Sequence, residues 1–251
     1  MDITFLGTGA PLSPERATTG LLVTASGCAP LLVDTCGGFE LARQLVRFGV
    51  PLASLRNVIV THRHLDHAGG MQALLLANMP LEVYANADTH AGIATMTEGC
   101  FPEWKPHPDI RRHSVDAGDV REIGGFRVSF HRAEHRVETL AARIEQAGRV
   151  LAFSADTLPC AAVVEAAREA DLFVCDALCA EADGEHFAHR ARELMHPTAR
   201  EAALMAREAG VRRLALVHCA RFGTPELIRR EAARFFDGEV VMPADGDRLV
   251  V

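Results

Sequence analysis

The sequence predicts an α/β protein, an αββα four-layer sandwich in which two mixed β-sheets pack face to face with helices on both outer faces. Three observations lead there. Short β-branched or apolar runs alternate with helical patterns along the whole chain, no Ser/Gly-rich linker or low-complexity tract interrupts them, and the strands-then-helices order occurs twice. The chain has 251 residues, of which 49% are hydrophobic and 24% charged. That balance suits a folded globular protein and excludes disordered, collagenous and coiled-coil classes. A single domain over residues 1–251 is the simplest organisation, large against a soft prior of roughly 150 residues per domain.

The elements follow in order. Strands are expected at Ile3 to Leu6, Leu21 to Thr24, and Leu31 to Val33, the last ending at Asp34. A helix from Phe39 to Phe48 is stopped by Gly49 and Pro51. Asn57 to Val60 reads as a buried strand, followed by a His-rich turn and a helix from Gly70 to Asn78 that Pro80 ends. The pattern repeats with Leu81 to Tyr84 and a helix near Thr89 to Met96. Residues 99–113, with three prolines and the only tryptophan, read as an ordered loop or lid in which Phe101 and Trp104 form a wall of a pocket. Strands Phe126 to His131, Leu140 to Glu145 and Val150 to Ser154 come next, the last two joined at Gln146, Ala147 and Gly148. Leu172 to Cys175 and Leu214 to Val217 are strands, and Thr198 to Glu208 and Glu226 to Phe236 are helices.

Acidic residues number 33 against 26 basic ones, a formal charge of −7 that does not favour a polyanion-coating protein. No apolar run reaches the ~18 residues of a membrane span, and no signal-peptide pattern precedes the first strand, so a cytoplasmic protein without membrane association is expected. The seven cysteines, an odd number and scattered, fit reduced thiols; Cys175 and Cys179 have no second pair with which to close a tetrahedral site. Histidine is the anomaly, at 12.

The decisive segment is Thr61-His62-Arg63-His64-Leu65-Asp66-His67, directly after the strand Val58-Ile59-Val60. Alternate residues of extended chain point the same way, so His62 and His64 can share one metal ion. The following turn offers Asp66 and His67 to a second. Imidazole and carboxylate are the donors that borderline cations such as Zn²⁺ take in catalytic sites. Gly69 and Gly70 let the chain turn into the next helix.

This run resembles the hallmark of the metallo-β-lactamase fold superfamily. The resemblance extends to the C-terminus and implies a third histidine at His135, with His131 as its only rival. It implies a bridging aspartate at Asp156 and a last histidine at His218. His62, His64 and His135 would then hold one ion, Asp66, His67 and His218 the other, with Asp156 across both. The implied cofactor is two divalent ions, zinc first, manganese or iron as alternatives.

Finer matches resemble the ribonuclease Z and arylsulfatase branch: Phe5-Leu6-Gly7-Thr8-Gly9-Ala10-Pro11 with Arg16, Ala142-Arg143-Ile144-Glu145, and His196-Pro197-Thr198-Ala199. In that branch the histidine of the last motif is catalytic, which implies a role for His196 beside Asp66. Two departures stand out. Members that process tRNA carry a long arm between the third histidine and the bridging aspartate, whereas here a hairpin consumes that interval. Arg221 also stands three residues after His218, out of step with the branch's Ser-x-Arg pattern.

The expected activity is hydrolysis at a dinuclear centre, its ions ~3.5 to 4 Å apart and sharing a hydroxide nucleophile that Asp66 orients, while His196 stabilises or protonates the leaving group. A small phosphodiester is the first substrate class. Aryl sulfates, carboxylic esters or thioesters are alternatives on the same site, and tRNA 3′ processing or a non-catalytic scaffold rank below them. Partners are accordingly a small anionic ester and, by resemblance, a second copy in a homodimer; an extended nucleic-acid footprint is not expected. Arg132 and Arg136, flanking His135, carry no assigned role.

Overall fold

The computed structural model describes all 251 residues. The first half runs β1 (Asp2–Gly7), β2 (Gly20–Thr24), β3 (Leu31–Val33), α1 (Glu40–Arg47), β4 (Asn57–Ile59), α2 (Leu65–Ala68), α3 (Met71–Leu76), β5 (Leu81–Ala85), α4 (Ala87–Cys100) and β6 (Ile110–Ser114). The second half runs β7 (Val120–Ile123), β8 (Phe126–Ala133), β9 (Thr139–Gln146), β10 (Arg149–Phe153), α5 (Ala161–Ala167), β11 (Leu172–Asp176), α6 (Glu185–Leu194), α7 (Ala199–Ala209), β12 (Arg213–Val217), α8 (Pro225–Ala232), β13 (Glu239–Val241) and β14 (Arg248–Val250). Two seven-stranded sheets result, ordered β14-β1-β2-β3-β4-β5-β6 and β13-β12-β11-β10-β9-β8-β7. Both are mixed: antiparallel meanders pass into parallel strands at β3–β4 and at β10–β11.

The layer order follows from strand alternation. Ile3, Phe5, Leu21, Val23, Leu31 and Val33 point between the sheets and meet Phe126, Val128, Phe130, Leu172 and Val174 of the other. Their neighbours Leu6, Leu22, Leu32 and Val58 point outward to Leu41 and Leu45 of α1 and Leu74 of α3. On the far side Phe173, Leu214 and Leu216 meet Ala202, Ala206 and Ile228 of α7 and α8. Strands buried on both faces are apolar throughout, which is why they read as unbroken runs. No helix is long and apolar enough to cross a membrane.

The four-layer α/β sandwich agrees with expectation, but several elements differ. Residues 110–113 are an edge strand pairing in parallel with β5, with Trp104 packed on the outer core cluster beside Met96 and Ile110. The expected lid is thus partly sheet, and it escapes a hydrophobicity reading because Arg111, Arg112 and His113 decorate an edge. Strands β7, β13 and β14, also at or near edges, are too polar or too short for a pattern reading. Helix α6 carries a single buried residue, Ala191, so its sequence shows no core stripe. The hairpin between β9 and β10 closes in two residues, Ala147 (φ 48°) and Gly148 (φ 74°), as a right-twisting turn with both central residues left-handed.

Candidate metal centre

Most residues of the centre sit where a strand ends, while Asp66 and His67 lie in α2 and His196 between α6 and α7. Asp34 follows β3, His62 and His64 follow β4, His135 follows β8, Asp156 follows β10, Asp176 closes β11, and His218 follows β12. Four non-glycine residues in or beside the centre adopt left-handed backbone: Asp34 (φ 58°), Ala155 (φ 55°) and His218 (φ 63°) after strands, and Met195 (φ 65°) at the end of α6. Such conformations are costly for residues with a Cβ and persist where surrounding contacts hold them.

The sequence-selected side chains gather into two groups that share one residue. His62, His64, His135 and Asp156 form the first, and Asp66, His67, His218 and Asp156 the second. His62 Nε2 and His135 Nε2 lie 3.0 and 3.2 Å from His64 Nδ1. Asp156 Oδ2 is 3.5 Å from His62 Nε2 and 3.6 Å from His218 Nε2, while its Oδ1 is 3.2 Å from His67 Nε2. Asp66 Oδ2 faces His218 Nε2 at 3.2 Å and His67 Nε2 at 3.4 Å. His131 lies elsewhere, on the outward face of β8 against Ser129 Oγ at 3.2 Å.

The ring tautomers can be read from outer partners. His67 Nδ1 donates to Asp34 Oδ2 at 2.7 Å. His62 Nδ1 donates to Thr61 Oγ1 at 3.1 Å, whose hydroxyl in turn donates to Asp34. His135 Nδ1 donates to the Met195 carbonyl at 3.2 Å. These bonds turn Nε2 of three rings inward; His67 Nε2 is buried with no hydrogen-bond partner. Imidazole nitrogens and carboxylate oxygens converge in each group within 4.8 Å of one another, and His67 Nε2 has no other partner there, so the donor set fits metal ions.

Charge completes the picture. Burial alone would lower the His67 imidazole, but Asp156, Asp66 and Asp34 outweigh it and hold it well above its usual range. Burial dominates at His62 and at His135, the latter pulled down to about 4. His196 stands beside the second group, its ring stacked on His218 at 4.8 Å between centroids. Its Nδ1 donates to Asp176 Oδ2 at 2.7 Å. Burial opposes its charge, but Asp176 and Asp156 prevail and push it up to about 9.

A family model described as "Beta-lactamase superfamily domain" matches residues 30–219. The ribonuclease Z of Haloarcula marismortui is 32% identical over 98% of this chain and 95% of its own length. The chain belongs to the metallo-β-lactamase superfamily, in its ribonuclease Z-like branch. Among solved structures, the metallo-β-lactamase fold protein YhfI of Bacillus subtilis superposes with a TM-score of 0.84 at 25% identity, covering 99% of both chains. Human tRNase Z, short form, gives a TM-score of 0.76 at 25% identity over 100% of this chain and 99% of its own. This metallo-β-lactamase fold protein is a metal-dependent hydrolase.

Two residues of the centre escaped the sequence reading. Asp34 accepts from Thr61 N, Thr61 Oγ1 and His67 Nδ1. Asp176 holds His196, and its Oδ1 lies 3.6 Å from His218 Nδ1. Their signal was present: each carboxylate ends an otherwise apolar strand, Leu31-Leu32-Val33-Asp34 and Leu172-Phe173-Val174-Cys175-Asp176. A buried acid at that position requires compensation.

Proposed function

We propose that the protein is a phosphodiesterase that hydrolyses a small diester at a dinuclear centre, with all 251 residues forming one catalytic domain. The supporting observation is the pair of donor groups sharing Asp156, with His196 fixed beside them by Asp176. His62, His64 and His135 would hold one ion and Asp66, His67 and His218 the other, zinc being the first candidate for such N/O donors and manganese or iron the alternatives. Divalent ions held there supply Lewis-acid charge and water acidic enough to ionise near neutral pH.

The chain's own groups then divide the work. Asp66 turns Oδ2 toward His67 and His218, which leaves Oδ1 to orient the attacking water. Asp176 occupies His196 Nδ1, so Nε2 is the ring edge left for substrate. Asp176, which is not among the proposed ligands, favours the charged form of His196, and a proton on Nε2 can pass to the leaving oxygen.

A small substrate is favoured by the two-residue β9–β10 turn, which holds no arm between His135 and Asp156. The Haloarcula alignment runs over 309 positions against 251 residues here, so that relative carries several dozen residues this chain lacks. A second reading, tRNA 3′ processing, draws on the names of that ribonuclease Z and of human tRNase Z. A cytoplasmic homodimer belongs to the first reading.

The test uses metal-free protein reconstituted with Zn²⁺, Mn²⁺ or Fe²⁺ and offered bis(p-nitrophenyl) phosphate, an aryl sulfate, a thioester and a tRNA precursor with a 3′ trailer. Turnover of the phosphodiester is expected. Cleavage of the sulfate or thioester alone would overturn the proposal, and cleavage of the precursor alone would establish the second reading.

A further inference from the structure

The centre is closed on one side and open on another. Asp176, His196 and His218 are buried on the closed side, whereas His64 is only partly buried and forms part of the wall of a cavity of about 460 Å³. Four other cavities of 350–410 Å³ include no centre residue. The groove runs from His64 along one face of α4, where Asp88, Ala91, Gly92, Thr95 and Met96 fall at helical spacing i, i+3, i+4, i+7, i+8. Leu65 and Val137 form its other wall. Each is tied to the centre by the chain itself: Leu65 lies between His64 and Asp66, and Val137 lies two residues past His135.

The groove is uncharged in effect. Its one cation, Arg63, pairs with Asp88 at 2.9 Å. Gly92 makes that possible, since a Cβ there would come within 2.9 Å of the Arg63 Cβ. A glycine inside a helix is destabilising relative to alanine, so the close approach of Arg63 is a specific feature of this wall. Leu65 is 65% exposed, an apolar side chain without a partner beside the reacting centre. A polyphosphate or ribose-phosphate chain would find no free cation along this path, while an apolar ring would cover Leu65, Met96 and Val137.

We propose that this groove is the specificity subsite for one organic arm of the ester, and that the arm is an uncharged, ring-sized group such as an aryl or cyclic alkyl substituent. The inference rests on the phosphoryl-ester reading of the centre. Ala91 and Thr95 are exposed positions of α4, so Ala91→Phe and Thr95→Trp fill the groove without entering the core. Phenylphosphonate and methylphosphonate, each with a single organic arm, are titrated against the metal-loaded protein. Phenylphosphonate is expected to bind at least tenfold more tightly. Ala91→Phe and Thr95→Trp are each expected to bring that ratio near one while leaving methylphosphonate affinity within twofold. A ratio near one in the wild type, a preference that survives both substitutions, or binding of neither compound would overturn the proposal. Turnover of bis(p-nitrophenyl) phosphate by the same preparation separates failure of the groove from failure of the phosphodiesterase reading, because it registers hydrolysis whichever way the groove is used.

Discussion

His196 Nδ1 and Asp176 Oδ2 are 2.7 Å apart, both side chains buried, and Asp176 Oδ2 also accepts from the Thr157 amide at 3.3 Å. One carboxylate therefore joins the candidate acid to the loop that carries Asp156. Asp176 itself is held above the usual carboxylate range by burial, partly offset by the charge and hydrogen bond of His196. Asp176→Asn keeps the shape and removes the charge. The expected result is a loss of kcat of about 10–100-fold, the usual cost of removing an outer partner of a site histidine, with metal content retained. His196→Ala should lose more, about 10²–10⁴-fold. The double variant should be little worse than His196→Ala alone, because both act through one ring. Additive losses in steady-state kinetics would separate the two residues.

Asp34 is expected to govern metal retention more than turnover. It fixes His67 directly and His62 through Thr61, one residue in each donor group. Asp34→Asn should weaken metal affinity by about 10–100-fold, measured by elemental analysis after dialysis against graded chelator. Thr61→Val should do less, since it reaches only the His62 arm. Unchanged affinity in both would remove Asp34 from this role.

The metal-free protein should have a stability optimum bounded on both sides by histidines of the centre. His196, raised to about 9, contributes stability that is complete below its unfolded value near 6.5 and lost as pH rises through about 9. His135, lowered to about 4, contributes stability that is complete above about 6.5 and lost as pH falls through about 4. Calorimetric midpoints of chelated protein should therefore fall on either side of neutrality. His196→Gln should flatten the alkaline limb and His135→Asn the acid one; a swap of these effects would contradict the assignment.

Metal uptake should release protons. The raised His67 holds a proton that an ion at its Nε2 must displace, so apparent affinity rises with pH and unbuffered titration acidifies the solution. His67→Gln should cut the proton release along with the affinity. His131→Ala, on the outer face of β8, should leave both unchanged.

The Thr61 to His67 run and the apolar strands were legible because each is a local pattern; Asp156 and His218 were reached only through the family resemblance. A buried strand is apolar over its whole length, and a cluster of donors in seven residues needs no partner to be recognised. The edge strands β6 and β7 were hidden because solvent-facing edges carry arginine and glutamate as a loop does.

The sequence by itself determined the fold class and the four donors between His62 and His67, since chain order and residue chemistry are sufficient for both, while Asp156 and His218 came from the family resemblance. Only the tertiary structure decided between His131 and His135 in the cluster, which donor nitrogen each ring presents, and that Asp34 and Asp176 do the orienting. It also decided where the centre opens, along α4 past Leu65 and Val137. The reason is physical: tautomer, ring direction and groove are set by contacts between residues up to about 150 positions apart, as between Asp66 and His218, and these exist only once both sheets have packed.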